Sequence, residues 1–237
     1  MTKIDIISGF LGAGKTTLIK KLIEEAFTGE KLVLIENEFG EIGIDGGFLK
    51  DSGINITEMN SGCICCSLVG DFGTALAEVL EKYAPDRIII EPSGVGKLSD
   101  VIKAVLGVKE KVAGDSVVLN SFTTVADATK CKMYMKNFGE FYNNQVEHAG
   151  TIVLSRTGNM KEDKLQACID LIRTQNTEAS IITTPWDQIN GKQILDAMEK
   201  RNDLVKELLE EEDVCPECGH HHEHGEECDH DHEHHHD

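Results

Sequence analysis

The sequence predicts an α/β fold, a doubly wound and mostly parallel sheet, and three observations carry that prediction. Short apolar runs alternate with stretches of helical periodicity from the N-terminus to about residue 210. The first apolar run, with Ile4, Ile6 and Ile7, leads into SGFLGAGKTT, Ser8 to Thr17, and then into LIKKLIEE. Strand, glycine-rich turn and helix in that order make a phosphate cradle. Near Glu210 the composition changes, and apolar residues give way to acids, histidines and cysteines.

The turn is the most specific signal. Gly9 to Thr16 reads G-x-x-x-x-G-K-T. Gly9, Gly12 and Gly14 let the backbone reach positive φ, so that successive N–H groups face a bound anion. The helix that starts near Gly14 adds its positive end, Lys15 reaches the β- and γ-phosphates, and the Thr16 hydroxyl is placed to ligate Mg²⁺. The stretch Gly9, Gly12, Ala13, Gly14, Lys15, Thr16 and Thr17 is therefore expected to bind a nucleoside triphosphate, or at least a pyrophosphate.

The elements follow in order. A helix is expected over Lys15 to Ala26, a buried strand over Lys31 to Glu36, and an acidic, glycine-rich loop over Glu36 to Gly53, where a γ-phosphate-sensing switch (Asn37 to Asp45) would sit. Gly53 to Asn60 is strand-like, and Ser67 to Tyr83 helical. DRIIIEPSG is a fully apolar strand closed by Glu91. An acid at the carboxyl end of such a strand lies beside the phosphate turn, where it holds Mg²⁺ through water or orients the attacking water. Gly94 is positioned to offer an N–H to the γ-phosphate. Helices are expected over Leu98 to Leu106, Ala128 to His148 (with Gly139 as an interruption), Lys161 to Arg173 and Gln193 to Leu209; strands are expected over Ser116 to Val125, Thr151 to Ser155 and Ala179 to Thr183.

Three of the eight cysteines fall within SGCICCSL, as Cys63, Cys65 and Cys66, at the expected start of a helix. A helix N-terminus favours thiolate, which binds Zn²⁺ or Cu(I) and accepts Co²⁺ or Ni²⁺. Three ligands leave one position open, as transfer or catalysis needs. A redox site, or packing of small apolar side chains, is the competing reading.

The charge is −19 overall, but 11 of the 42 acids lie in residues 211–237, which hold no Lys or Arg. That balance disfavours nucleic acid as a partner, since backbone binding relies on basic surface. No apolar run is long enough for a membrane span, and the N-terminus enters a strand without a long apolar stretch. A cytoplasmic location is expected, with the cysteines as thiols or metal ligands. Residues 1–210 read as one nucleotide-binding domain and residues 211–237 as a disordered, metal-rich tail. Nine of the ten histidines lie there. Cys215 and Cys218 form a C-x-x-C knuckle, with His220, His221, His222 and Cys228 as further transition-metal ligands.

GFLGAGKTT, NEFGEIGID, GCICC and EPSG together resemble the CobW-type P-loop GTPases, relatives of the HypB and UreG nickel chaperones; the likeness spans about Met1 to Thr184. It implies GTP, with ATP as the other nucleotide to consider, Mg²⁺, and delivery of Zn²⁺, Co²⁺ or Ni²⁺ to a client protein. It implies Lys15, Thr16 and Glu91 as the catalytic set and Cys63, Cys65 and Cys66 as the metal site. A nucleotide-dependent homodimer stays open. One departure bears on the base. Where the family carries N-K-x-D, this chain has Ser155, Arg156, Thr157 and Gly158, so the carboxylate that pairs with guanine is absent and Asn159 is the nearest stand-in. A metal buffer or sensor that does not hydrolyse nucleotide is the alternative function.

Overall fold

The computed structural model describes residues 1–36, 56–60, 76–77, 79–109 and 116–200, with the backbone alone for 56–60. Seven strands form one sheet: β1 (Thr2–Gly9), β2 (Leu32–Glu36), β3 (Ile56–Asn60), β4 (Arg87–Glu91), β5 (Val117–Asp127), β6 (Thr151–Ser155) and β7 (Ser180–Ile182). Their order across the sheet is β3-β2-β4-β1-β5-β6-β7. Every strand pairing among the described residues is parallel. The chain winds outward from β1 on one side, returns, and winds outward on the other. The order therefore reverses at β1, the place where open α/β sheets bind ligands.

The strands are buried from both faces, which is why they read as apolar runs rather than alternating ones. Period two still sorts them. Ile4, Ile6, Val33, Ile35, Ile88 and Ile90 join one core, while Ile7, Leu32, Leu34 and Ile89 join the other. Against the first pack α2 (Leu98–Val108), α3 (Cys131–Asn137), α4 (Gly139–Glu147) and α5 (Glu162–Arg173); against the second pack α1 (Lys15–Glu25) and helical residues 191–200. Helices on both faces make the fold doubly wound, as expected.

Two local details depart from the sequence reading. The helix expected over Ala128 to His148 is interrupted where expected, between Asn137 and Gly139, but its start is delayed to Cys131. The delay has a cause: Asp127 Oδ1 accepts the Thr129 N–H at 3.0 Å and its hydroxyl at 2.6 Å, a local turn that competes with helix. The second detail is a bulge. Ile4 pairs with Leu119 but Asp5 with Ser121, which leaves Asn120 as an extra residue in β5.

Asn120 Nδ2 donates to Asp5 Oδ1 at 2.8 Å and to Glu199 Oε1 at 3.0 Å. Both belong to a buried polar cluster near the amino ends of β1 and β4. Arg87 is its hub, bonding Asp5 Oδ2 at 2.5 Å and Glu30 Oε2 at 2.6 Å, with its guanidinium 4.5 Å from the Phe27 ring centre. Burial works against the Arg87 charge, yet the bonds to Glu30 and Asp5 outweigh it and hold the group protonated beyond its ordinary range.

Candidate functional site

At its carboxyl end β1 runs directly into the phosphate turn. Gly9, Gly12 and Gly14 lie at φ 151°, 68° and 108°. Gly14 is the N-cap of α1 in a left-handed conformation, and a Cβ there would stand 3.1 Å from Trp186 Cη2. The positive φ calls for glycine, and a Cβ would also press the indole to give by a few tenths of an ångström. α1 has no side-chain cap and no acid in its first turn, an arrangement that leaves its positive end to an anion. Lys15, the first residue of α1, is buried.

Thr16 Oγ1 donates to Glu91 Oε1 at 3.1 Å. Glu91 ends β4 and is only 2% exposed. Gly94 follows at a close approach: a Cβ would come within 2.8 Å of the Leu11 nitrogen, so glycine lets the loop after β4 touch the phosphate turn. From α4, Gln145 Nε2 braces that loop by donating to the Gly94 and Gly96 carbonyls at 3.0 and 2.8 Å. Glu36 has no role in the sequence reading, yet it ends β2, is buried and stands in register with Glu91. Its signal was the repeated pattern of an apolar run closed by an acid, LVLIE and RIIIE.

Ser155 and Arg156 hold the turn from the other flank. Ser155 Oγ donates to the Ala13 carbonyl at 2.6 Å, and Arg156 Nη2 to the Gly12 carbonyl at 2.9 Å. Arg156 Nη1 also pairs with Asp127 Oδ2 at 2.6 Å, a partner that no sequence pattern marks. Between this flank and α1 lies a cavity of about 340 Å³. Ala13, Gly14 and Thr17 line it from the turn and helix, residues 155–158 from the end of β6, and residues 185–187 from the loop after β7. Trp186 Nε1 donates to the Leu154 carbonyl at 2.9 Å and so fixes the indole in that wall. Asn159, the expected stand-in for a base-reading side chain, is not among the described residues that line the cavity.

The expected switch, Asn37 to Asp45, lies outside the described residues, as do Cys63, Cys65 and Cys66 and the tail ligands Cys215, Cys218, His220, His221, His222 and Cys228. Among the described residues no group of three His, Cys, Asp or Glu is arranged to hold a metal ion. Cys131 and Cys168 are free and buried, and the Tyr142 hydroxyl donates to Cys131 Sγ at 3.3 Å. No helix among the described residues is long and apolar enough to cross a membrane.

A parallel sheet with a glycine-rich phosphate turn at its point of reversal, and a threonine of that turn bonded to an acid on a neighbouring strand, defines a P-loop nucleotide-binding fold. The class narrows further on comparison with known proteins. Residues 3–183 match the family described as CobW/HypB/UreG, nucleotide-binding domain, and the chain belongs to that family. It is 42% identical over 102 residues to the zinc chaperone YeiR of Escherichia coli (strain K12), a match covering 43% of this chain and 31% of YeiR. It is 33% identical over 197 residues to the zinc chaperone CobW of a Sinorhizobium species, covering 73% of this chain and 55% of the relative. The chain thus spans between about a third and about half of the length of these two relatives. Among solved structures, Zn(II)-bound YjiA GTPase from E. coli superposes with a TM-score of 0.56 at 23% identity, covering 81% of this chain and 62% of that one. HypB from Helicobacter pylori in complex with nickel superposes at 0.54 and 16% identity, covering 88% and 87%. At those identities the likeness is one of fold.

Proposed function

We propose that the chain is a nucleotide-dependent metallochaperone that binds and hydrolyses GTP and passes a transition metal ion, Zn²⁺, Co²⁺ or Ni²⁺, to a client protein in the cytoplasm. The observation that carries this reading is the Thr16–Glu91 bond, which joins the phosphate turn to a buried strand-end acid across 75 residues of sequence. The relatives' names as zinc chaperones support the cargo.

In this reading the backbone of Gly9 to Gly14, Lys15 and the start of α1 hold the phosphates, and Gly94 faces the γ-phosphate side. A hydroxyl and a carboxylate held together suit a hard divalent cation, so Thr16 and Glu91 are the residues that would hold Mg²⁺. Bound there, Mg²⁺ would neutralise charge on the phosphate oxygens. Glu91 also orients the attacking water. Ser155 and Arg156 keep the turn in shape from the opposite flank. The chain leaves β3 at Asn60, at the carboxyl end of the sheet and three residues before Cys63. In this reading Cys63, Cys65 and Cys66 hold the ion, and residues 211–237 collect ions for them as a tail separate from the domain of residues 1–210.

Nucleotide binding and turnover measured for GTP against ATP, with and without each metal ion and with Lys15→Ala as control, test the proposal. Thermodynamic linkage requires metal to raise nucleotide affinity by the factor by which nucleotide raises metal affinity. Metal-stimulated GTP turnover that Lys15→Ala abolishes is the expected result. Tight metal binding without turnover of either nucleotide would leave a metal buffer or sensor. Deletion of residues 211–237 should lower metal stoichiometry and spare hydrolysis.

A further inference from the structure

The cavity beside the phosphate turn begins at Gly14 and Thr17, which flank Lys15 and Thr16 in the chain. A nucleotide whose phosphates occupy the turn has its base and ribose here. The size falls in the range of small-molecule sites. Its walls are mostly apolar, with Trp186 as a flat surface fixed by its bond to the Leu154 carbonyl. Two features give it polarity toward a ligand. Thr157 is 5% exposed, and its Oγ1 has no hydrogen-bond partner among the described residues. Asp187 is the only acid among the described residues lining the cavity, and it is exposed.

The other charge in the wall is already engaged: Arg156 is bonded to Asp127 and to the Gly12 carbonyl. Position 158, next to Thr157, is glycine and offers no side chain. The cavity therefore presents one uncommitted carboxylate, supplied by the loop after β7. Such a group discriminates between purines. Guanine offers two adjacent donors, N1–H and N2–H₂, that match the two oxygens of a carboxylate. Adenine turns the N1 lone pair toward it, and the contact is repulsive.

We propose that Asp187 is the residue that reads the base, making the cavity guanine-selective through the loop of residues 185–187 rather than through the segment after β6. This rests on the nucleotide-binding reading above. Thr157 then meets a polar edge of the nucleoside, and Trp186 meets its apolar face.

The test is equilibrium binding of GDP, ADP and xanthosine diphosphate, each with Mg²⁺, to the full chain and to Asp187→Asn. Asp187 is exposed and outside the phosphate turn, so the variant should fold. The carboxamide presents an N–H₂ that suits the 2-oxo group of xanthine and clashes with the guanine N2–H₂. The wild type should prefer GDP to ADP. In Asp187→Asn, GDP affinity should fall on the order of 10- to 100-fold, the range of hydrogen bonds to a charged group. Affinity for xanthosine diphosphate should rise, and that for ADP should not fall. A variant that keeps the wild-type GDP to ADP ratio would overturn the assignment while nucleotide binding stands. So would a wild type that binds GDP and ADP equally. Failure of the wild type to bind any of the three would overturn both the assignment and the nucleotide reading.

Discussion

The two ends of the sheet use buried polar groups for opposite purposes. Near the amino end, Asp5, Arg87, Asn120, Ser121 and Glu199 bond one another, and Ser121 Oγ and Asn120 Nδ2 both donate to Asp5 Oδ1. Charge meets charge within the chain. At the carboxyl end, Ser155 and Arg156 engage carbonyls of the phosphate turn, while α1 starts with neither a cap nor an acid. Its acceptors are tied down by protein and its positive helix end is left for a ligand. One end holds the fold together; the other is shaped by the fold to hold something else.

The difference can be broken most severely at Arg87. Arg87→Ala strands a buried carboxylate, a loss of about 3–5 kcal/mol of stability. Urea unfolding measures it, and nucleotide affinity per folded molecule should stay constant; a loss under about 1 kcal/mol would remove the amino-end cluster from any bracing role. Lys15→Ala should do the reverse. It should lower GTP affinity on the order of 10- to 100-fold by calorimetry, with far less effect on unfolding than Arg87→Ala. Arg156→Ala should fall between the two ends. The side chain is 51% exposed but its partner Asp127 is buried and would keep only the bonds from Thr129, so stability should fall by about 1–3 kcal/mol, while loss of the bond to the turn should weaken nucleotide binding about two- to tenfold.

The smallest effect concerns pH. Burial pushes the Glu199 carboxyl up, but hydrogen bonds from Lys3 and Asn120, with the charges of Lys3 and Arg87, bring it below its ordinary value of 4.5. The unfolded chain therefore takes up that proton more readily than the folded one. Its contribution to stability is present above about pH 4.5 and fades as pH falls through the lower, folded value. Glu199→Gln should flatten the acid limb of the stability profile followed by circular dichroism. An unchanged limb would show that Glu199 contributes nothing at that end.

The strands were legible because full burial leaves uninterrupted apolar runs, as in RIIIE and TIVLS. The phosphate turn was legible because a tight anion cradle needs glycine and lysine at fixed spacing. The partners of those elements were not. Arg87 reads as the polar start of an apolar strand, yet it is buried against a residue 82 positions away. Asp127 and Arg156 meet across 29 positions. Pairings of that length leave no periodicity, and only the packing of β4 beside β1 and of β5 beside β6 brings them together.

The bulge at Asn120 makes β5 a strand in two phases. Before it, odd positions face the core beneath α2, as Val117 and Leu119 do; after it, even positions do, as Phe122 and Ala126 show, and Val125 turns to the opposite core. Asp127 therefore faces the phosphate-turn side because of an insertion seven residues upstream. Deletion of Asn120 would restore regular alternation, since Leu119, Ser121 and Phe122 would follow one another opposite Ile4, Asp5 and Ile6 with their present faces, whereas deletion of a residue after the bulge would swap the two faces of the strand beyond it. Along β5 the chain's tolerance of length change is set by phase, not by burial.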